Sequence, residues 1–184
     1  GNSPFSWRMN YNSYAFDDGF GFGCYYLTNK IVSSSLLTSG EMVLAGTRAH
    51  NDNLGIDCYN MIEVSKFNNT GQVTATYQSP NSTPSNSWEA IQMVTSVNDD
   101  IYLTGSKSNG NVLIKLNSDL VKQWSVNFNS IGGTFIQPDP SGNIVLAFVK
   151  NNPTAGNKQI VIRKFNSSDG NVICTTFLND KPNA

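Results

Sequence analysis

Charge is scarce in this chain: Lys, Arg, Asp and Glu make up 14% of its 184 residues, against roughly a quarter in an ordinary domain. Twelve basic and thirteen acidic residues leave a formal net charge of −1, so no whole-chain basic field exists to hold nucleic acid or an anionic membrane. Histidine is scarcer still. His50 is the single one, which excludes a multi-histidine metal site and forces any Ser-His-Asp triad to use that residue. The three cysteines, Cys24, Cys58 and Cys174, stand far apart in no metal-like spacing, leaving either one disulfide with a free thiol or three buried thiols. No apolar run approaches the eighteen or so residues of a membrane-spanning helix, so membrane insertion is not expected. No window sustains a 3.6-residue period, so little helix is expected either. The opening Gly1-Asn2-Ser3-Pro4 reads as neither an initiator nor a signal peptide, which suggests a processed, tagged or excerpted product.

What is present is apolar and uncharged-polar. Hydrophobic residues make up 39% and aromatics 11%, spread throughout, so a core can form and disorder is not expected. Asn and Ser supply about a quarter of the chain, a compositional bias that provides a polar surface without charge. Three Asn-x-Ser/Thr triplets, at Asn68, Asn81 and Asn166, are glycosylation candidates and tilt the reading toward secretion, although such a composition also produces them by chance.

The strongest signal is self-similarity. Lys66-Phe67-Asn68, Lys115-Leu116-Asn117 and Lys164-Phe165-Asn166 recur at a constant interval of 49 residues. Each closes a β-branched or alternating run and is followed by a short polar turn and another strand, which describes one hairpin written three times. Upstream, Glu41 to Gly46, Asp100 to Gly105 and Asn143 to Phe148 align without a gap, each after a turn at Ser39-Gly40, Asn98-Asp99 or Ser141-Gly142. Shorter apolar stretches precede those turns, so each unit reads as four short strands. The stretch between second and third strands varies most, with a long loop expected over Thr47 to Asn60 and a short one over Ser106 to Gly110. Trp7 to Ser13 matches Trp124 to Ser130 by residue type at five of seven positions, so the chain is expected to open with the fourth strand of a preceding or neighbouring unit.

This strand–Gly–strand–Lys-x-Asn–turn–strand pattern, best seen in Asp100 to Gly105 and Val112 to Trp124, resembles blades of extracellular and bacterial-type β-propellers. The resemblance covers Ser33 to Leu178, and the tryptophan-aspartate and kelch signatures are absent. It implies an all-β, propeller-like fold with three four-stranded blades, at about 31–79, 88–130 and 133–178, plus an N-terminal strand within 1–13, all in a single repeat domain spanning 1–184. A β-sandwich is the structural alternative. In a propeller both faces of a blade are buried, which would account for the continuously apolar Ile144 to Phe148. Closed propellers have four to eight blades, so three blades and a strand need either further blades or other chains to cover the remaining edges.

Candidate chemistry is sparse. His50 and Cys58 fall in the expected long loop with no activating partner in sequence, so no catalytic residue is assigned and the chain is not expected to be an enzyme. Asp17-Asp18-Gly19 and Asp99-Asp100 are the adjacent carboxylate pairs, but their spacing does not make a calcium loop. Gly19 to Gly23 lacks a dinucleotide-binding frame. No cofactor and no metal are therefore expected. The repeated Lys66, Lys115 and Lys164 admit an anion site around a common axis, or, favoured by repetition, stems covering each sheet with heads reaching water or a turn carbonyl. Trp7 and Trp124, at equivalent positions, are expected in the core, and Trp88 as an exposed contact for a ligand such as a glycan.

The functional expectation is an extracellular or cell-surface structural or binding module that self-associates through blade edges and strand pairing into a homo-oligomer or filament. Trp7, Met9 and Tyr11 are the inter-subunit strand candidates. The alternative is a ligand- or carbohydrate-binding segment of a larger propeller, with the remaining blades as its partner.

Overall fold

In the computed structural model the described residues are 30–51, 58–80, 82–83, 85–152 and 157–178. They form twelve strands and, among these residues, no helix. The first sheet comprises β1 (Lys30–Leu36), β2 (Met42–Asn51), β3 (Cys58–Phe67) and β4 (Val73–Gln78). The second comprises β5 (Trp88–Thr95), β6 (Ile101–Lys107), β7 (Gly110–Leu116) and β8 (Lys122–Phe128). The third comprises β9 (Thr134–Pro138), β10 (Ile144–Asn151), β11 (Lys158–Phe165) and β12 (Val172–Leu178). Each sheet is antiparallel, with strands in sequence order. The fold is therefore all-β, built from three four-stranded sheets. The proposed N-terminal strand at Trp7, Met9 and Tyr11 lies outside the described residues, as do Cys24, Asn81 and the Asp17 to Gly23 stretch.

The three sheets repeat because their turns repeat. Between first and second strands, the same pair of backbone hydrogen bonds closes each turn: Leu37 and Glu41, Ser96 and Asp100, and Asp139 and Asn143 face one another. The residue before the last carries a positive φ at Gly40 (83°), Asp99 (61°) and Gly142 (82°). Between third and fourth strands, the Asn of each Lys-x-Asn triplet folds its carboxamide back on the turn. Asn68 Oδ1 accepts from the Thr70 and Gln72 amides, Asn117 Oδ1 from those of Asp119 and Val121, and Asn166 Oδ1 from that of Ser168. Such local acceptance by Asn is what favours a turn over continued strand.

Two apolar clusters join the sheets, and the period of two along each strand divides the second sheet between them. Ile101, Leu103, Val112, Ile114 and Leu116 pack with Val43, Ala45, Ile62 and Val64 of the first sheet. Tyr102, Leu113, Trp124 and Phe128 pack with Ile136, Ile144, Leu146, Phe148, Val161 and Phe165 of the third. The second sheet thus lies between the others, and Ile101 to Gly105 is buried at every residue. The approach of the first sheet is close enough to need a glycine. A Cβ on Gly105 would come within 2.3 Å of Ile62 Cδ1 and 2.8 Å of the Glu89 carbonyl.

Two expectations are corrected here. The long loop placed over Thr47 to Asn60 is largely strand: β2 continues to Asn51 and β3 begins at Cys58, with His50 opposite Tyr59 and Asn51 opposite Cys58. This polar stretch does not alternate, but the ladder's backbone hydrogen bonds need no side-chain pattern. The continuous apolar run of β10 is not buried on both faces either. Its burial alternates, with Ile144, Leu146 and Phe148 inside and Val145, Ala147 and Val149 half-exposed.

Candidate functional site

The repeated lysines mark one face of every sheet. Along the hydrogen-bond register the same three positions line up: Val43, Lys66 and Ala75 in the first sheet, Tyr102, Lys115 and Trp124 in the second, and Val145, Lys164 and Cys174 in the third. In each sheet the ammonium group meets a carboxylate from the turn between first and second strands. Lys66 Nζ lies 3.5 Å from Glu41 Oε2, Lys115 Nζ 2.8 Å from Asp100 Oδ2, and Lys164 Nζ 2.5 Å from Asp139 Oδ2. Glu41 and Asp100 close their turns, whereas Asn143 takes that place in the third sheet and the carboxylate moves to Asp139, which opens it. The lysine holds the Asp139 carboxyl below the usual carboxylate range, helped by the Asn143 and Ser141 amides.

The first two lysines also reach the following sheet. Lys66 Nζ stands 3.6 Å from Asp119 Oδ1, and Lys115 Nζ donates to the Ser167 carbonyl at 2.8 Å. Asp119 and Ser167 both belong to the turn between third and fourth strands. Trp124 Nε1 donates to the same Ser167 carbonyl at 3.1 Å, and its ring covers Gly170, where a Cβ would come within 2.8 Å of Trp124 Cδ2. Gly170 has φ 74°, and the equivalent residues are Leu120 (φ 61°) and Gly71 (φ 86°). Leu120 adopts this conformation despite its side chain, which is buried in the cluster that Ala75 flanks. A small residue on one sheet therefore meets a large one on the next, and a large residue meets glycine, as close packing requires.

First strands contribute a polar seam to the same interfaces. Ser33 Oγ donates to the Met93 carbonyl, Ser35 Oγ contacts Thr95 Oγ1, and Gln92 Oε1 accepts from the Ile136 amide. The Asp99 carboxylate accepts from both the amide and the hydroxyl of Thr38. Asp99 and Asp100 thus serve separate partners and form no cation pair. Burial pushes the Tyr77 hydroxyl up to about 12. Tyr102 is raised likewise, first by burial and then by the Asp100 carboxylate.

The third sheet presents the lysine-bearing face with no sheet of the described residues over it. Phe135, Ile160 and Leu178 are about half exposed on that face, next to Val145, Ala147, Val149 and Ile162. The side chain of Lys164 is 31% exposed, against 11% for Lys66 and 10% for Lys115. Cys174 is a free, exposed thiol on the same face.

The other sequence-derived candidates separate. Lys66, Lys115 and Lys164 each pair with a carboxylate of their own sheet. Trp124 is buried, as its equivalence to Trp7 suggests. Trp88 is corrected: it begins β5 in the core between the first two sheets, 8% exposed, with Lys107 Nζ 5.2 Å from its ring centroid. The strand that Trp88 opens runs into that core, so the ring is not exposed as a contact for a ligand was expected to be. The Asn68 and Asn166 triplets double as turn chemistry, because Thr70 Oγ1 and Ser168 Oγ each donate to the Asn Oδ1. His50 and Cys58 flank the 52–57 segment on paired strands. Among the described residues no group of three His, Cys, Asp or Glu residues is placed to hold a metal. The lysine–carboxylate pairing was missed in sequence, although Glu41 and Asp100 already stood at aligned positions. No family model and no curated protein matches the chain.

Proposed function

We propose that the three sheets are successive blades of a propeller-like repeat scaffold, an extracellular structural or binding module that works by self-association. One observation carries this reading: the face that is covered in the first and second sheets has no sheet of the described residues over it in the third, yet carries Phe135, Val145, Ile160, Ile162 and Leu178 beside its lysine. Contiguous exposed apolar surface of this kind marks an interaction site, since solvent exposure alone selects for polar residues. The blade-like reading draws on the same observation, because stacking through equivalent faces is how repeat units bury a surface that none can bury alone. The glycan-binding alternative loses its nominated contact with the burial of Trp88.

Light scattering on the full chain tests the proposal. The expected mass is two or more protomers of 20.1 kDa at about 100 μM, where a contact of micromolar strength is populated. A single protomer at that concentration overturns self-association.

A further inference from the structure

We infer that the contact is head to tail: the lysine-bearing face of the third sheet in one copy receives the first sheet of a second copy. This rests on the self-association proposed above. The argument comes from two unmatched halves of one repeated contact. Lys66 and Lys115 each reach the turn between third and fourth strands of the following sheet, at Asp119 and Ser167. Lys164 has no described turn beyond it. Conversely, the equivalent turn of the first sheet, Asn68 to Gly71, has no lysine of a described sheet upon it, and Asn69 and Thr70 are exposed. The unclaimed lysine and the unclaimed turn are the two ends of the described stack, and a second copy brings them together with the chemistry already used twice within the chain.

Placed by that equivalence, Lys164 donates to the Asn69 carbonyl, as Lys115 does to Ser167. Cys174 takes the place of Trp124 and faces Gly71, as Trp124 faces Gly170. Cysteine against glycine fills less volume than either internal pair, so the contact between copies is weaker than the contacts within one. An interface of this kind joins different surfaces of the two copies, and it continues into a ring or a filament according to the rotation between them.

The test uses the full-length chain, with sedimentation across a concentration series and alkylation of Cys174 followed by peptide mass. Association that slows Cys174 alkylation is the expected result. Thr70→Asp copies the Lys66–Asp119 pair, and the amide of Asp119 already shows that aspartate suits this turn position. It should tighten association about two- to five-fold, the range of a partly exposed ion pair, and lose that effect in the background of Lys164→Met. Association with Cys174 fully reactive and Thr70→Asp without effect overturns the head-to-tail contact while leaving self-association standing. A monomer with reactive Cys174 overturns both. A monomer in which Cys174 is already protected shows that the chain covers its own face, and the inference fails for that reason.

Discussion

The second and third sheets carry the same face in two conditions. On the second sheet Tyr102, Leu113 and Trp124 are buried beneath the third, whereas Val145, Ile162 and Cys174 occupy the equivalent positions in partial or full exposure. Geometry, register and the lysine–carboxylate pair are shared, so the difference lies in size and cover. Tyr102 and Trp124 are buried where a neighbouring sheet receives them, whereas Phe135 stands about half exposed on the third sheet's face, which no described sheet covers. The exposed copy turns polar only in part: Gln137 and Thr176 stand where the second sheet has Val94 and Val126, while Val145 and Ile162 stay aliphatic. Solvation alone would favour Thr, Asn or Ser at those positions, all of them abundant elsewhere in this chain.

Equivalent truncations on the two sheets break the comparison most sharply. Leu113→Ala removes a fully buried side chain and should cost about 2–5 kcal/mol in denaturant unfolding. Ile162→Ala, two residues before Lys164 as Leu113 is before Lys115, should cost less, about 1–2 kcal/mol in dilute solution, because part of the side chain already meets water. If a second copy covers the face, the cost of Ile162→Ala grows with protein concentration while that of Leu113→Ala does not. Equal, concentration-independent losses would show that the two faces are alike in cover.

Backbone and packing at the turns give the next largest effect. Gly170→Ala combines a left-handed φ with a collision against Trp124 and should destabilise by about 2–4 kcal/mol. Gly142→Ala meets the same backbone penalty with nothing within 4 Å of the new Cβ, so about 1 kcal/mol is expected. Thermal midpoints that fall equally would mean that the sheet contact at Trp124 contributes nothing.

Much of this organisation was legible in the sequence, because the turns are written in residues that have few alternatives. The Lys-x-Asn triplets located the third strands since each Asn must close its own turn, and Ser39-Gly40, Asn98-Asp99 and Ser141-Gly142 located the bends since a positive φ is needed there. Extension of β2 through Arg48, Ala49 and His50 was not legible, because ladder hydrogen bonds leave no trace in side-chain pattern. Trp88 was misplaced for a related reason: its neighbours Ser87 and Glu89 are polar, and burial of an isolated aromatic depends on which sheet lies opposite. Asp139 shows a third limit. Alignment placed Asn143 at the carboxylate position, and only the geometry of the turn reveals that its first residue can reach the same lysine.

The ion pairs sharpen the comparison at smaller scale. Lys115→Met removes the Asp100 pair and the bond to Ser167 across two sheets, and leaves a partly buried carboxylate unpaired. A loss of about 1–3 kcal/mol is expected. Lys164→Met, at a position open to solvent, should cost about 1 kcal/mol or less. The carboxyl of Asp139 is depressed by Lys164, so its contribution is present above the ordinary carboxylate range and is lost as pH falls through the lower folded value. Acid unfolding of Lys164→Met should show a shallower pH dependence than the parent, and an unchanged profile would remove Lys164 as the cause.

The smallest effect concerns the alkaline limb. Tyr77 packs against the core between the first and second sheets, and its hydroxyl is buried without a hydrogen-bond partner among the described residues. In the unfolded chain the hydroxyl ionises near 10.0, whereas burial holds it neutral up to about 12. The folded state therefore keeps a proton that the unfolded state releases, and stability falls as pH rises from 10.0 toward about 12. Tyr77→Phe should flatten that decline and leave neutral-pH stability unchanged or higher by up to about 1 kcal/mol, because a desolvated and unbonded hydroxyl is removed. A clear loss at pH 7 would mean that the hydroxyl is bonded after all, and the first sheet contact would then rest on a polar link in addition to its apolar packing.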